Sequence, residues 1–525
     1  MKRYDVIVIG AGPAGLSAAI QAAKCGAEVA VFDENAAPGG QLFKQIHKFF
    51  GSKEHRAKIR GFNIGKMLLE EAANAGVKVH LNAVVMGLYD NKELLVNMNG
   101  ETVHYKADAI IVATGARENM IPFKGWTLPG VMGAGAAQTL MNLHGVQPGK
   151  NILIVGSGNV GLVVGYQLMQ AGMNLVAIID AAPRVGGYGV HASKVARMGV
   201  PFYLSHTIVQ AEGTDHVTGA VIAEVDNHFK PIQGTEIHLD VDTICMAVGL
   251  SPMSQLTAMV KCEMKDKGGA VPVVNEWGET SIPGIYAAGD VAGIEEASSA
   301  MINGRIAGTA AAQKLGYLTE EECSEEVQKL KASLGQLHEG MFSPANKGRT
   351  DLKETDEGIL LSQNLLKQGY VADDEIERYP GVKHYAGIHP VIECTQNIPC
   401  NPCQDACKFG CINVGETITR LPSVNEKNQC AGCGMCVASC SGQAIFLVDE
   451  DTGDGMGTVT MPYELLPYPQ PGDKGIACGR DGKPVCEAEV VSCKTSKAYD
   501  KTALLTIRVP QDMCMKARFF RKEER

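Results

Sequence analysis

The residues best suited to chemistry are cysteines, and about half of them are concentrated in one short stretch. Nine of the 17 cysteines lie between residues 394 and 440, and the other eight are scattered over the rest of the 525 residues. Four of the nine follow the spacing Cys430-x2-Cys433-x2-Cys436-x3-Cys440. In such a run consecutive thiolates bind successive corners of a [4Fe-4S] cubane, and the fourth cysteine serves a second cluster. The spacing therefore predicts two four-iron clusters.

The second run of ligands follows from an internal alignment. The segment CSGQAI that begins at Cys440 aligns with CKFGCI at Cys407, so Cys407 becomes the fourth cysteine of the first run. The other members of that run precede it, across a widened first gap. The predicted ligands are Cys394, Cys400, Cys403 and Cys440 for cluster 1, and Cys407, Cys430, Cys433 and Cys436 for cluster 2.

Two alternatives to this assignment remain open. In the other register the first run is Cys400, Cys403, Cys407 and Cys411, which frees Cys394. In the preferred register, which is the assignment given above, Cys411 is instead a buried cysteine that binds no cluster. The alternative metal is structural zinc, which normally takes four thiolates as two separated pairs. Nine cysteines in two compact runs fit that pattern poorly.

Composition limits the function classes. Hydrophobic residues make up 45% and charged residues 20% of the chain, as in soluble globular proteins. The net charge of −10 offers no general attraction for phosphate backbones, so we expect no nucleic-acid partner. The apolar run Val6–Ile9 is too short for a signal core or a membrane span. We therefore expect a cytoplasmic protein without a membrane span, in a compartment where clustered thiols usually bind metal.

A glycine-rich turn near the start of the chain is the first predicted element with a recognisable binding motif. Alternating strand and helix patterns up to about residue 318 predict an α/β protein with a parallel, doubly wound sheet. After the first strand comes the G-x-G-x-x-G pattern, which allows a tight turn, close approach of a pyrophosphate and close packing of helix on strand. A carboxylate at the end of the second strand is expected to accept hydrogen bonds from a ribose. The candidate residues are Gly10, Gly12, Pro13, Ala14 and Gly15 in the loop, with Asp33 or Glu34 as the carboxylate.

A second unit of the same kind begins at Ile152. Its carboxylate favours a free ribose 2′-hydroxyl, hence NAD over NADP. Arg184 is the candidate clamp for a 2′-phosphate if the ligand is NADP, and a scaffold role or an adenine nucleotide without hydride chemistry are further alternatives. The candidate residues are Gly156, Gly158, Asn159, Val160 and Gly161 in the loop, with Asp180 as the carboxylate.

Three later motifs complete the first site. They are the loop Pro38-Gly39-Gly40-Gln41, the strand end Ala113-Thr114-Gly115, and the strand end Gly289-Asp290. With these motifs the sequence resembles the two-dinucleotide-binding-domain flavoproteins, such as glutathione reductase, thioredoxin reductase and the small subunit of glutamate synthase. The resemblance implies that Gly289 and Asp290 hold the ribityl and phosphate part of FAD, and that Thr114 and Gly115 close over the nucleotide.

The residues close to these motifs give two further expectations. The redox-active cysteine pairs of the family are missing here, so we do not expect disulfide reduction. Lys44, His47 and Lys48 follow the double-glycine loop, and we expect them on a solvated helical face.

The predicted organisation has five parts. They are an FAD-binding domain in two segments (1–120 and 250–318), an NAD(P)-type nucleotide-binding domain (121–249), a helical connector (319–390), a ferredoxin-like 2[4Fe-4S] domain (391–450) and a small β-rich C-terminal region (451–525).

The order of these parts is similar to that in the FAD-containing large, alpha-type subunits of multi-subunit amine and imino-acid dehydrogenases, which act on proline, hydroxyproline or opines. The resemblance implies an oxidoreductase for CH–NH donors in which a partner flavoprotein subunit of the amino-acid-oxidase type oxidises the amine. This chain would relay electrons through FAD and its clusters to NAD or another acceptor, in a hetero-oligomer that can include a further small iron–sulfur subunit. No catalytic acid–base pair is identified in the sequence, and a relay requires none.

Two other functions remain open at this point. One is an autonomous NAD(P)H-dependent oxidoreductase resembling the glutamate synthase small subunit. The other is a cluster-bearing assembly scaffold, against which the intact glycines and Asp290 argue. Exposed cubanes would also suggest an anaerobic or oxygen-poor cell.

Overall fold

The computed structural model describes residues 2–265, 271–349 and 351–523. The chain divides into two compact units. The described residues of unit 1 fall within Met1–Phe49, Glu54–Glu118 and Leu250–Leu337, and those of unit 2 within Phe50–Lys53, Asn119–Gly249 and His338–Arg525.

Strands occur along the whole chain. In chain order they are β1 Lys2–Ile9, β2 Val29–Phe32, β3 Lys78–His80, β4 Ala83–Leu88, β5 Glu93–Met98, β6 Glu101–Val112, β7 Ala116–Glu118, β8 Val131–Gly133, β9 Asn151–Val155, β10 Asn174–Asp180, β11 Phe202–Leu204, β12 His206–Glu212, β13 Gly219–Glu224, β14 Ile237–Leu239, β15 Thr243–Met246, β16 Leu250–Pro252, β17 Ile285–Ala287, β18 His389–Ile392, β19 Ile412–Asn413, β20 Ser423–Val424, β21 Ile445–Asp449, β22 Met456–Tyr463, β23 Lys474–Cys478, β24 Pro484–Lys494, β25 Ala503–Pro510 and β26 Phe519–Lys522.

The α-helices are longest in the first two thirds of the chain. In chain order they are α1 Pro13–Lys24, α2 Gly61–Asn74, α3 Ala134–His144, α4 Asn159–Gln170, α5 Gly189–Ala196, α6 Gln255–Met259, α7 Ala297–Lys314, α8 Glu320–Leu337, α9 Gln363–Gln368, α10 Asp373–Ile376, α11 Pro402–Ala406 and α12 Met435–Ser439. None of these helices combines the length and the apolar composition that a bilayer crossing requires.

Unit 1 is built on a seven-stranded sheet with the order β3-β2-β1-β6-β5-β4, to which β17 adds by pairing with β6. β1 is parallel to both β2 and β6, and its apolar run Val6–Ile9 is buried, as expected for a central parallel strand covered on both faces. α1 and α7 pack closely because two glycines of α7 face α1: a Cβ on Gly304 would lie 2.1 Å from the Ala14 carbonyl oxygen, and one on Gly308 would lie 2.4 Å from that of Ala18.

Unit 2 contains a second parallel sheet and a seven-stranded antiparallel one, beside the smaller antiparallel sheets β12-β13-β14 and β19-β20. The parallel sheet has the order β11-β10-β9-β15-β8, so the predicted second Rossmann-like unit is present. The antiparallel sheet has the order β18-β21-β22-β25-β24-β23-β26. It joins strands on both sides of the cysteine-rich segment to the C-terminal strands. The β-rich C-terminal residues therefore share a sheet with residues 389–392 and 445–449 and do not form a separate one.

One expectation from the sequence holds in part and one was wrong. The connector contains the helices α8, α9 and α10, but the described residues of 338–362 contain no α-helix and fold as turns and irregular backbone. The basic residues after the double-glycine loop do not lie on a solvated helix either. A short 3-10 turn ends at Lys44, and Lys48 is buried with only 5% of its surface exposed, because its segment pairs with residue 60.

Candidate functional site

The first glycine loop connects β1 to α1, and its three glycines meet different surroundings. Gly10 has φ +103°, and a Cβ there would lie 2.4 Å from the carbonyl oxygen of Ala113. A Cβ on Gly15 would lie 1.8 Å from the carbonyl oxygen of Gly10. These two positions exclude any side chain. Gly12 differs, because a Cβ there would meet no atom of the protein within 4 Å and its φ is −76°. The open space at Gly12 lies where a pyrophosphate would approach the backbone.

The carboxylate of Asp33 braces this loop. It is buried, and it accepts hydrogen bonds from the backbone N–H of Ala11 at 2.6 Å and from the backbone N–H and side-chain amide of Asn35 at 2.8 Å each. Three of its roughly four lone-pair positions are therefore used within the protein. Its neighbour Glu34 is exposed. A ribose contact by either carboxylate stays a prediction.

The double-glycine loop lies directly against the first loop. Gly39 donates a backbone hydrogen bond to the Ala11 carbonyl oxygen at 2.8 Å, and a Cβ on Gly40 would lie 2.9 Å from the Cα of Gly12. The exposed Gln41 follows immediately. The structure thus brings the two glycine motifs together, as the sequence predicts for one nucleotide site.

The other two motifs of the first site also reach this end of the sheet. Thr114 donates its hydroxyl to the Met253 carbonyl oxygen at 2.6 Å, and Gly115 follows with φ +72°. A Cβ on Gly289 would lie 2.6 Å from the Cβ of Ala14, in the first turn of α1. Asp290 follows Gly289 and accepts from the backbone N–H of Glu295 at 3.3 Å. The strand ends of β6 and β17 therefore border the loop that opens α1.

The second glycine loop, between β9 and α4, repeats the first closely. Gly156 has φ +113°, and a Cβ there would lie 2.3 Å from the carbonyl oxygen of Ala247. A Cβ on Gly161 would lie 2.0 Å from the carbonyl oxygen of Gly156, whereas one on Gly158 would meet nothing within 4 Å. Asp180 braces this loop by accepting from the backbone N–H and the hydroxyl of Ser157, each at 2.7 Å. The two loops are equally able to admit a phosphate group.

The second loop has its own double glycine, which the sequence reasoning missed. Gly187 donates to the Ser157 carbonyl oxygen at 2.9 Å, as Gly39 does to Ala11 in the first site. The signal was available, because a Gly-Gly pair follows Asp180 at the same distance in sequence as one follows Asp33. The next residue, Tyr188, donates its backbone N–H to the Asn159 side-chain oxygen at 2.8 Å.

Two other candidates of the second site have surroundings of their own. The side chain of Val160 is exposed. Arg184 directs its guanidinium to the backbone carbonyl oxygens of Arg349 and Leu352. The candidate 2′-phosphate clamp is thus engaged with the backbone.

The first predicted set of cysteines is brought together in unit 2, and we call it the inner quartet: Cys394, Cys400, Cys403 and Cys440. Burial raises the pKa of the Cys400 thiol well above its ordinary value, and the adjacent thiols of Cys403, Cys440 and Cys394 raise it further. The same two causes raise the pKa of Cys394 to about 12, with Cys440 as the neighbour. The amide of Ala444 lies 3.4 Å from the Cys440 sulfur as a donor.

The second predicted set is also brought together, and we call it the outer quartet: Cys407, Cys430, Cys433 and Cys436. These four residues line one apolar cavity, together with Phe409 and Cys411. Burial raises the pKa of Cys436, and its three partners in the quartet raise it further. Unlike any residue of the inner quartet, Cys433 is exposed. The amides of Cys411 and Gly432 donate to the sulfurs of Cys407 and Cys430 at 3.3 and 3.4 Å.

The alternative register is not the one that the geometry brings together. It requires Cys407 and Cys411 to share a cluster with Cys400 and Cys403. The neighbouring thiols that act on Cys411 are those of Cys407, Cys430 and Cys433, all from the outer quartet. After burial, these neighbours raise its pKa to about 12. Cys411 is buried, and its thiol donates to the Asn428 carbonyl oxygen at 3.6 Å.

The two quartets fit a group that neutralises several thiolates at once. Neighbouring thiols that raise one another's pKa can all ionise only when positive ions balance them. Amide N–H donors aimed at the sulfurs stabilise the ionised form and are typical of iron–sulfur sites. Within the described residues no three His, Cys, Asp or Glu side chains converge on a single ion. A cubane instead spaces its four thiolates around a four-iron core.

Comparisons with known proteins identify the first part of the chain. The model of the pyridine nucleotide-disulphide oxidoreductase family matches residues 4–314, and this match ends before the clustered cysteines. The thioredoxin reductase of T. acidophilum has a similar fold, with 23% identity and a TM-score of 0.50 over 60% of this chain and 99% of that one.

Two curated relatives are subunits of larger enzymes. An opine oxidase subunit from Rhizobium meliloti is 31% identical over 340 residues, which cover 60% of this chain and 64% of that protein. The hydrogen cyanide synthase subunit HcnB from Pseudomonas aeruginosa is 29% identical over 327 residues, which cover 57% of this chain and 69% of that protein. The chain thus spans about two thirds of the length of these relatives. Since the family model covers more than half of it, the chain belongs to the pyridine nucleotide-disulphide oxidoreductase family and is a flavin-dependent oxidoreductase.

Proposed function

We propose that this chain is the flavin and iron–sulfur electron-transfer subunit of a complex that oxidises an amine or imino acid. The observation that carries the proposal is the presence, in one chain, of a phosphate-accepting glycine loop and two separate cysteine quartets. A flavin exchanges electrons in pairs or singly, whereas a [4Fe-4S] cluster carries one at a time. A chain with both would divide an electron pair into single electrons.

In this proposal each cofactor has a defined set of residues. FAD is bound by Gly10, Gly12, Pro13, Ala14, Gly15, Asp33, Glu34, Gly40, Gln41, Ala113, Thr114, Gly115, Gly289 and Asp290. A second nucleotide, NAD(H) or another adenine nucleotide, is bound by Gly156, Gly158, Asn159, Val160, Gly161 and Asp180. The inner quartet binds cluster 1 and the outer quartet binds cluster 2.

The amine itself is oxidised elsewhere in the complex. The relatives named as subunits of opine oxidase and hydrogen cyanide synthase support a CH–NH donor and a hetero-oligomer. We assign the oxidation of a proline- or hydroxyproline-like substrate to a partner flavoprotein subunit of the amino-acid-oxidase type. This chain then passes electrons between the partner, its own FAD and clusters, and NAD or another acceptor. A further small iron–sulfur subunit is compatible with this arrangement.

Cofactor analysis tests the proposal directly. The chain is purified without oxygen, and its flavin, iron and acid-labile sulfide are measured per chain. Two four-iron clusters predict about eight irons and about eight sulfides, with one FAD. A chain with bound FAD but only one or two metal ions, or one without flavin, would contradict the proposal.

A matched pair of glycine variants tests the first nucleotide site. Gly12→Ala adds a methyl group that neither strains the backbone nor touches the protein, so it fills only the space reserved for the phosphate. We expect the variant to fold and to lose at least about tenfold in FAD affinity, which corresponds to about 1.4 kcal/mol. Gly335→Ala in α8 is the control, because its Cβ also meets nothing within 4 Å. Equal flavin content in the two variants would show that Gly12 is not part of the FAD site.

A second function is supported by the second glycine loop, whose geometry matches the first. If the chain is an autonomous NAD(P)H-dependent oxidoreductase, rapid mixing with NADH bleaches its flavin without any partner. The engagement of Arg184 with backbone carbonyl oxygens predicts NADH over NADPH. Gly158→Ala should abolish this bleaching while FAD content stays unchanged, since a methyl group there also meets only open space. Absence of bleaching in the parent chain favours the relay fed by a partner.

A further inference from the structure

A fully enclosed arginine lies beside the inner quartet. Arg197 directly follows α5 and is only 6% exposed. Its guanidinium donates to the Gln443 carbonyl oxygen at 3.0 Å and lies 5.4 Å from the centre of the Phe446 ring. Gln443 itself donates its backbone N–H to the carbonyl oxygen of Cys440 at 3.2 Å. The positive group therefore sits against the segment that carries one ligand of the inner quartet.

No carboxylate among the described residues is within ion-pair distance of Arg197. The neighbours that act on its charge are, in falling order, the Tyr166 hydroxyl, the Glu393 carboxylate and the Cys440 thiol. Glu393 is already shared by two other arginines, with 2.5 Å from its Oε1 to Nη2 of Arg480 and 2.5 Å to Nε of Arg518. Burial lowers the pKa of Arg197, but a guanidinium stays protonated in proteins. A buried charge of this kind is costly unless an opposite charge balances it.

Several buried cations lie in this part of unit 2. Arg480 and Arg518 share the Glu393 carboxylate, and Arg480 also pairs with Asp373, whose side chain is 52% exposed. The enclosed cations are Lys194, Arg197, Arg480 and Arg518. Lys194, on α5, lies with its ammonium 4.1 Å from the centre of the Tyr166 ring and is a positive neighbour of Cys440. Four thiolates holding an iron–sulfur core would place negative charge near Arg197.

The outer quartet has a different electrostatic environment from the inner quartet. Its residue Cys433 is open to solvent, and Cys436 senses mainly the other three cysteines of its own quartet. Water at the exposed side screens charges much more strongly than the interior around Arg197 does. A fixed cation therefore acts with most effect on the inner quartet.

We propose that Arg197 holds the reduction potential of cluster 1 above that of cluster 2, so that cluster 1 is the first of the two to be reduced. The inference rests on the proposed function, because it takes both clusters as present. Each reduction adds one electron, from the reduced flavin in the complex or from dithionite in the experiment, and so adds one negative charge to the cluster. A buried cation beside the cluster stabilises that added charge.

Redox titration followed by electron paramagnetic resonance tests the inference on the full chain. Cys433→Ser alters the signal of the outer cluster and so assigns the two signals. In the parent chain the signal at the higher potential should be that of the inner cluster. Arg197→Met should move this signal to a more negative potential and leave the other unchanged. Arg197→Lys, which keeps the charge, should stay close to the parent. Arg508→Met, at an exposed arginine of the same unit, is the control.

The outcomes separate this inference from the proposed function. A chain with far fewer than about eight irons contradicts the function itself. A full complement of iron with two reducible clusters, but with the outer cluster at the higher potential, overturns the role of Arg197. The same conclusion follows if Arg197→Met and Arg197→Lys give equal potentials. Should Arg197→Met not fold, Arg197→Gln keeps a donor for the Gln443 carbonyl oxygen and removes only the charge, and it must show the same negative shift.

Discussion

The two cysteine quartets have similar ligands but opposite surroundings. The inner quartet is partly buried, and buried cations and a buried ion-pair network lie near it. The outer quartet lines a cavity next to the surface, with the exposed Cys433 at its edge. Ligand spacing alone makes the two sites look equivalent. Their difference arises from what the rest of unit 2 packs against them. It predicts that buried charges set the reduction potential of one cluster and that the other exchanges electrons with groups outside the chain.

The largest expected effect comes from removing one ligand of each quartet. Cys400→Ser and Cys433→Ser should each weaken or remove one cluster and leave the other, so each variant loses up to about four irons. We expect the greater loss of stability from Cys400→Ser, because Cys400 is partly buried whereas Cys433 is exposed. Iron analysis and thermal unfolding measure the two effects.

The control for both variants is Cys493→Ser, at a half-buried cysteine of β24 far along the chain from either run. It should keep all the iron. If Cys400→Ser and Cys433→Ser retain the iron of the parent chain, the division into two quartets is wrong.

The next effect concerns the buried ion-pair network next to the inner quartet. Glu393 precedes Cys394, and Glu393→Gln leaves the guanidinium groups of Arg480 and Arg518 buried without their shared carboxylate. Removing one partner of a buried pair typically costs about 3–5 kcal/mol in the free energy of unfolding. Denaturant unfolding of the anaerobically purified chain measures it. Glu377→Gln, at a half-exposed carboxylate near His384, should cost at most about 1 kcal/mol.

The same carboxylate gives a pH dependence with a definite sign. Burial by itself would raise the pKa of Glu393, but Arg480 and Arg518 outweigh burial and hold it at about 2, below the ordinary value of 4.5. A depressed pKa in the folded state stabilises the protein above the unfolded pKa. This contribution should therefore be complete above pH 4.5 and disappear as the pH falls towards about 2. Glu393→Gln should remove this part of the acid dependence, and an unchanged pH profile would contradict the assignment.

The smallest effect is expected at the ninth cysteine. Cys411 borders the outer cavity but is not a cluster ligand in the preferred register. Cys411→Ala should leave the iron content unchanged and cost only the stability of a buried thiol, about 1 kcal/mol. Loss of about four irons from this variant would instead support the alternative register.

Motifs with short spacing could be predicted from the sequence. The two glycine loops lie where the pattern places them, and the alignment of Cys440 with Cys407 groups the cysteines as the structure does. Each of these rests on local backbone geometry or on a repeat that can be read directly from the residue types.

Contacts between distant segments could not be predicted in this way. Arg197 donates to Gln443 across 246 residues, and Arg518 reaches Glu393 across 125. The burial of Lys48 depends on the pairing of its segment with residue 60, which no periodicity indicates. The carboxylate of Asp33 shows a related limit, because the motif predicts its position but not that the protein itself uses most of its acceptors.

The most direct test of the central claim is an anaerobic dithionite titration of the full chain, followed by electron paramagnetic resonance. The account predicts two separately reducible iron–sulfur signals per chain, of which Cys400→Ser removes or alters one and Cys433→Ser the other. A chain with no reducible iron, or with a single signal that both variants affect alike, would contradict it.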